Sequence, residues 1–440
     1  MEERRDLQDR REKHKKERME EVSRKKKMLL LIFLGIVAVI VVAAMIKSLA
    51  GHRDEETGMG GGPAVSQVSA LTVSETEEAT APVMGNEIVA AADEAQDGVL
   101  HIVAVGDNVM HEKVCKSADT SQTVWNYDGL YEHIRDDIQK ADLASVNEEC
   151  VLVADHQDVS GYPAFGAPTE TGDALVKAGF NVVTMATNHV YDKGENGILQ
   201  SVEYWENNHP DTILLGIHKD QESAREIRTV EIEGITIALL NYTCLINGGK
   251  QNEIPAGMVD YANEVKMRAD VQQARSLADL VIVYLHAGTE YEDKPDSQQS
   301  SLLKMLLEEG VDITICSHPH VLQGFDTLQS DSGKQMLVYY SLGNFISSQK
   351  EPKCLLGGMA DIKIARDAQS GGLTIQDSQL IPLVTHYNYE KNVYTVYRLD
   401  EYTDELAAEH SVHEESDEEF TLSSLQSMAD QAINASYNIE

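Results

Sequence analysis

The sequence predicts an α/β fold built around residues 99–400, with a membrane-spanning segment ahead of it. Two patterns carry the α/β prediction. Short, continuous apolar runs rich in β-branched residues recur from residue 99 to residue 342, and amphipathic stretches separate several of them. Uninterrupted apolar strands are expected where other layers cover both faces of a sheet. Their alternation with helices is the mark of α/β architecture. Composition is the third observation: 440 residues carry 36 Lys+Arg against 73 Asp+Glu, a net charge of −37, with 42% apolar residues. A chain of this size and apolarity can bury a core. Its acidity argues against nucleic acid as a partner, since neutralising phosphates requires clustered Lys and Arg.

Residues 1–27 mix charges of both signs and read as a charged cytoplasmic segment. Residues 28–46 contain no charge, and an apolar run of about 18 or more is a transmembrane helix candidate. The run is longer than a signal peptide's usual apolar core. Arg24, Lys25, Lys26 and Lys27 abut it on one side, while Asp54, Glu55 and Glu56 follow on the other. The positive-inside rule then keeps the N-terminus in the cytoplasm, so that residues 28–47 anchor the chain in the bilayer and the main domain is extracytoplasmic. Residues 48–98 include GMGGGP at 58–63 and read as a flexible linker. Strands are expected at 99–105, 180–186, 235–242, 280–286, 311–317 and 336–342, and helices at 128–140, 170–178, 196–207, 263–277 and 297–309. Residues 401–440 carry HEESDEEF and read as a solvated acidic tail with one short helix. The five cysteines have no CxxC spacing and read as isolated core residues, with one disulfide possible in an oxidising compartment.

Polar residues concentrate where these strands end. The first strand runs into Asp107, the segment 141–146 into Asn147, Glu148 and Glu149, and the next into Asn188 and His189, followed by Asp192. The later strands end at His286, with Glu290 and Tyr291 close behind, at His318-Pro319-His320, and at Gly343-Asn344. Ligands of open α/β sheets bind outside the carboxyl ends of the strands, so these side chains are expected to converge. Imidazole with carboxylate and amide oxygen suits a divalent transition metal rather than a thiolate site. In an extended backbone, His318 and His320 would point the same way.

GDNVM (106–110), ADLASVNEE (141–149), ATNHVYDKG (186–194), HAGTEY (286–291), EGVDITICSHPHVLQG (309–324) and YYSLGNF (339–345) occur in this order. Together they resemble the CapA family of capsule-synthesis proteins, the poly-γ-glutamate biosynthesis proteins that share the calcineurin-like metallophosphoesterase fold. The resemblance implies a layered α/β/β/α sandwich preceded by a single transmembrane helix. It implies Asp107, Glu149, Asn188, His286, His318 and His320 as metal ligands for one or two ions of Mn, Fe or Zn. His189 takes the place of the catalytic general acid and Asp192 that of its orienting carboxylate, while Glu290, Tyr340 and Asn344 shape the substrate pocket. Three positions depart from the pattern: Val109 stands where a histidine is usual, Glu149 where an aspartate is, and Ala287 where a tryptophan is. One well-held metal is therefore expected, with the second position weak or absent.

The resemblance implies metal-assisted hydrolysis or transfer at the outer membrane face, on a phosphoester or an anionic polymer such as poly-γ-glutamate. The alternative is a non-catalytic accessory or scaffold subunit of a membrane polymer-synthesis or export complex. No GxxxxGK[ST] loop is present, so another subunit would have to supply ATP-driven bond formation. The acidic domain should repel an anionic polymer within a Debye length of about 8 Å unless a local cation intervenes.

Overall fold

The computed structural model describes residues 98–118, 123–367, 369–437 and 439. The charged segment 1–27, the apolar segment 28–47 and the linker up to residue 97 lie outside the described residues. Among the described residues, no helix is long and apolar enough to cross a membrane.

Sixteen strands form two mixed sheets and one small ribbon among the described residues. The first sheet contains β1 (Val99–Asn108), β2 (Leu143–Glu148), β5 (Val182–Thr184) and β6 (Ile213–Leu215), all parallel. It continues antiparallel through β14 (Leu356–Arg366), β15 (Leu373–Asn388) and β16 (Val393–Arg398), while β13 (Asn344–Ile346) pairs with the end of β1. The second sheet has β8 (Ile235–Thr243), β9 (Leu280–His286), β10 (Ile313–Ser317) and β12 (Gln335–Tyr339) in parallel. It is edged by antiparallel β7 (Arg228–Ile232) and β11 (Phe325–Gln329). The ribbon pairs β3 (Leu152–Val153) with β4 (Ala167–Pro168).

Side-chain parity explains the layering. Along the second sheet, Ile237, Leu239, Ile282, Tyr284, Ile313, Ile315, Leu337 and Tyr339 join the core shared with the first sheet. Their neighbours Ala238, Leu240, Val281, Val283, Leu285 and Val338 join a separate core with Met267, Val271, Leu303 and Leu306. Successive residues of a strand face opposite sides, so one face meets the other sheet and one meets helices. The helices on that outer side are Glu264–Leu277 and Ser297–Glu309, both where their periodicity predicts. Over the first sheet, the 3₁₀ turn Asp128–Ile134 brings Tyr131 against Phe345 and Phe180.

Two expectations are corrected here. Residues 401–439 are not a solvated tail: Tyr402, Ala407, Val412, Phe420, Leu425 and Ala429 are buried in the main core. A capped helix, Leu422–Ile433, follows the acidic run, and its apolar stripe outweighs the charge of the segment before it. The antiparallel strands β14 to β16 were not anticipated, because β15 carries exposed polar residues and Pro382 along much of its length. All five cysteines are buried and free.

Candidate metal centre

The parallel strands of both sheets end at the same edge of the domain, and parity decides which side chain faces the cleft. At the ends of β1 and β2, Asp107 and Asn147 point one way and are joined by a 2.8 Å hydrogen bond from the Asn147 amide. Asn108 and Glu148 point the other way. There Asn108 donates to Glu148 at 2.6 Å and accepts from the Tyr131 hydroxyl at 2.8 Å. Burial pushes the Glu148 carboxyl up to about 8, so it is held as a neutral structural group. Glu149, one residue beyond the strand, turns back into the cleft.

Gly106 makes the convergence possible. A Cβ at this position would lie 1.9 Å from the Gly343 carbonyl oxygen, which accepts the Asp107 amide at 2.9 Å. Gly343 itself has φ +60°, a conformation that glycine adopts without strain. This crossing carries Asn344 behind His320, where its side-chain oxygen lies 3.0 Å from His320 Nδ1. Its amide group donates to the carbonyls of His320 and Cys354 and to Gln349. Asn344 therefore braces His320 and does not line an open pocket.

His318 and His320 do reach the cleft, but not through extended backbone. Their φ angles are +101° and +59°, an uncommon conformation for residues with a Cβ and one that clusters at functional sites. The His318 amide donates to Asp107 Oδ2 at 3.2 Å, and the same oxygen lies 3.1 Å from His320 Nδ1. Ligand atoms of Asp107, Glu149 and His320 lie within 4.8 Å of one another, as do those of Glu290, His318 and His320. Glu290 is exposed and stands at the rim of this group. Behind them His286 Nε2 meets Asn188 Oδ1 at 3.0 Å, its Nδ1 meets Ser317 Oγ at 3.0 Å, and its ring is 4.8 Å from that of His318.

Burial pushes His286 well below its ordinary value and His318 down to about 3, aided by the neighbouring histidines. Both are neutral imidazoles, the form that binds metals. Burial also opposes charge on His320, but the Glu149 and Asp107 carboxylates outweigh it and raise the ring to about 10. Glu149 tests whether a cation fits. It is buried, and neither carboxylate oxygen has a hydrogen-bond partner; His320 Nε2 lies 3.6 Å and His189 Nε2 3.8 Å from Oε1. His318 Nδ1 is also unpartnered. A buried carboxylate left without donors is costly, and a divalent ion among these oxygens and nitrogens would satisfy it.

His189 lies beside this cluster, with Nδ1 2.6 Å from Asp192 Oδ2. Burial opposes its charge, and Asp192 and Glu149 overcome that opposition and raise it. Asp192 also accepts the Phe165 amide at 2.8 Å, and the Phe165 ring packs edge-on against His189. Tyr340, like Asn344, does not line the pocket, and it lies away from the cleft altogether. Tyr339 faces the inter-sheet core, so Tyr340 faces the outer helices, buried against Tyr437. Sequence reasoning missed Ser317 and His111, and it named Asn147 beside Glu148 without telling the two apart. Parity within β2 could have separated Asn147 from Glu148. His111 lies close enough to His320 and His189 for their charges to depress it, after burial, to about 4.

The family model for the bacterial capsule synthesis protein PGA_cap matches residues 101–349. The chain belongs to that family. All the strand-end residues above fall inside the PGA_cap match, whereas β14 to β16 and the C-terminal helices lie beyond it. The capsule biosynthesis protein CapA of Bacillus anthracis is 29% identical over 276 residues, covering 61% of this chain and 64% of that protein. The PGA biosynthesis protein CapA of Bacillus subtilis (strain 168) is 25% identical over 258 residues, covering 58% and 64%. The matched region thus spans 64% of the length of each of these relatives. Among solved structures, Haemophilus influenzae NAD nucleotidase aligns over 76% of this chain and 67% of its own, with 14% identity and a TM-score of 0.39. The calcineurin-like phosphoesterase YfkN of Bacillus subtilis aligns over 74% and 99%, with 13% identity and a TM-score of 0.35. Scores this low carry no weight for the site.

Proposed function

We propose that this PGA_cap-family chain is a membrane-anchored, extracytoplasmic protein that acts in synthesis or export of an acidic capsule polymer, through metal-assisted hydrolysis or transfer on a metallophosphoesterase-like sandwich. The observation that carries the reading is the buried, donor-less Glu149 carboxylate facing Asp107, His320 and His189. Similarity to capsule and PGA biosynthesis proteins supports the polymer, and the apolar run at residues 28–47 supports the anchor.

In this reading Asp107, Glu149 and His320 hold one Mn, Fe or Zn ion, with His318 and Glu290 beside it. Asn188 and His286 offer a second, weaker position. A bound ion of this kind polarises a phosphoryl or carbonyl oxygen and lowers the pKa of coordinated water towards about 7. The chain's own contribution is the His189–Asp192 pair. Asp192 accepts from Nδ1–H and fixes the ring, which leaves Nε2 facing the cluster to hand a proton to the leaving atom.

Elemental mass spectrometry of the purified protein tests the centre, with wild type beside a His318→Ala, His320→Ala double variant. One or two equivalents of transition metal, lost in the double variant, is the expected result. Wild-type protein that stays metal-free after reconstitution would defeat the catalytic reading and leave an accessory or scaffold subunit.

A further inference from the structure

The metal cluster opens beside a cavity of about 500 Å³ lined by His111, Tyr162, Tyr291 and Lys350. A second cavity of about 600 Å³, lined by Trp125, His156, Lys116 and Lys193, shares Tyr162 and Glu112 with the first. The two therefore adjoin as one groove, meeting at Glu112 and the exposed Tyr162 ring. Its far wall is flat, because Trp125 stacks on His156 at 3.9 Å between ring centroids.

Most cations along the groove are already neutralised: Lys116 is bonded to Glu112, and Lys113 and Lys350 both pair with Glu415. Lys193 differs. Its ammonium donates to Ser160 Oγ at 2.6 Å, and among the described residues no carboxylate pairs with it. The stem is also held in place. A Cβ on Gly197 would lie 2.5 Å from Lys193 Cβ, and a Cβ on Gly166 would lie 2.5 Å from Lys193 Cε. The two glycines thus leave the space the stem fills, and little rotamer entropy remains to be lost when an anion binds. Lys193 directly follows Asp192, so the chain that fixes the general-acid pair also fixes this ammonium.

We propose that this groove is a subsite for an extended acidic chain, in which Lys193 receives a carboxylate remote from the reacting unit. The proposal rests on the acidic-polymer reading above. An ammonium has three donors and one is spent on Ser160, which leaves enough for a monoanionic carboxylate. A phosphate dianion would call for a richer set of donors. Tyr162 and the Trp125–His156 stack offer apolar surface to the methylene and amide portions of such a chain. In a protein of net charge −37, a local ammonium is also what lets an acidic polymer approach.

The test is binding of a fluorescein-labelled γ-linked glutamate octamer to the full-length, detergent-solubilised protein, followed by anisotropy at 0.15 M salt. Lys193→Gln should weaken binding about ten-fold, the loss of one charge-assisted hydrogen bond. Gly166→Ala should weaken it as well, since it displaces the stem and keeps the charge. Lys304→Gln, which removes the same charge from an exposed helix position, should leave it unchanged. A Lys193→Gln affinity within two-fold of wild type, with wild type binding, would overturn the subsite alone. Equal losses in Lys193→Gln and Lys304→Gln would overturn it in favour of bulk electrostatics. Wild-type protein that does not bind the octamer would overturn the polymer reading, and the subsite with it.

Discussion

Asp107 Oδ2 lies 3.1 Å from His320 Nδ1 and also accepts the amide of His318 at 3.2 Å, so one carboxylate oxygen ties the end of β1 to the loop after β10. The two elements belong to different sheets. The contact therefore joins the sheets at their common edge and fixes the left-handed His-Pro-His backbone that brings both rings to the cluster.

Metal should stabilise this protein by mass action. Adding Mn²⁺ or Zn²⁺ to stripped protein at about 100-fold excess over Kd is expected to raise stability by about 2.7 kcal/mol. Differential scanning fluorimetry should show the rise in wild type and not in Glu149→Gln.

Asp192→Asn should separate chemistry from metal binding. The pair holds His189 by one hydrogen bond, so its loss should lower turnover about 10- to 100-fold on whichever phosphoester or γ-glutamyl substrate is cleaved. Metal content should stay at the wild-type level. A parallel loss of metal would make Asp192 part of the ligand set.

Tyr340→Phe is expected to change stability by less than about 1 kcal/mol and to leave metal content unchanged. The Tyr340 hydroxyl is buried without a hydrogen-bond partner, so removing it costs nothing in the folded state. Tyr340→Ala should cost about 3–5 kcal/mol in urea unfolding, as expected for an aromatic ring in the helix-side core.

Gly106→Ala should be far more damaging than its size suggests. The new methyl would lie 1.9 Å from the Gly343 oxygen, between backbone segments that cannot part without breaking the β1–β13 pairing. A loss of at least about 3 kcal/mol, or failure to fold, is expected by urea titration.

Part of the acid sensitivity should arise far from the cleft, in addition to that of the depressed cleft histidines. Burial lowers His386 to about 4 and His410 to about 3, and their rings lie 5.1 Å apart. His410 Nδ1 accepts the Val412 amide, a bond that protonation would break. Both folded values lie below the unfolded value of about 6.5, so the unfolded chain takes up protons that the folded one refuses. Stability is retained above about pH 6.5 and falls as pH drops towards about 4, by roughly 1–2 kcal/mol per ring over the first pH units. Metal-stripped His410→Gln should show a shallower decline than wild type in urea midpoints measured between pH 7.5 and 4.5.

The sequence by itself determined the strands β1, β5, β8, β9, β10 and β12, the helices 170–178 and 297–309, and the gathering of Asp107, Glu149, Asn188, His189, His286, His318 and His320. Uninterrupted apolar runs mark the strands, and a polar residue at the end of each run marks the cleft. Both are local properties of the chain. Tertiary structure decided the rest. Whether Tyr340 faces helices or the cleft depends on the parity of a strand relative to the second sheet. Whether Asn344 lines a pocket or braces His320 depends on the crossing of Gly106 and Gly343. The acidic segment 401–439 folds because its few apolar residues find a surface to cover, which no property of the segment alone reveals. The setting of the Lys193 ammonium is likewise a tertiary result: a lysine is common in any sequence, and it is the glycines packed around its stem, and the lack of a carboxylate pairing with it among the described residues, that set this one apart.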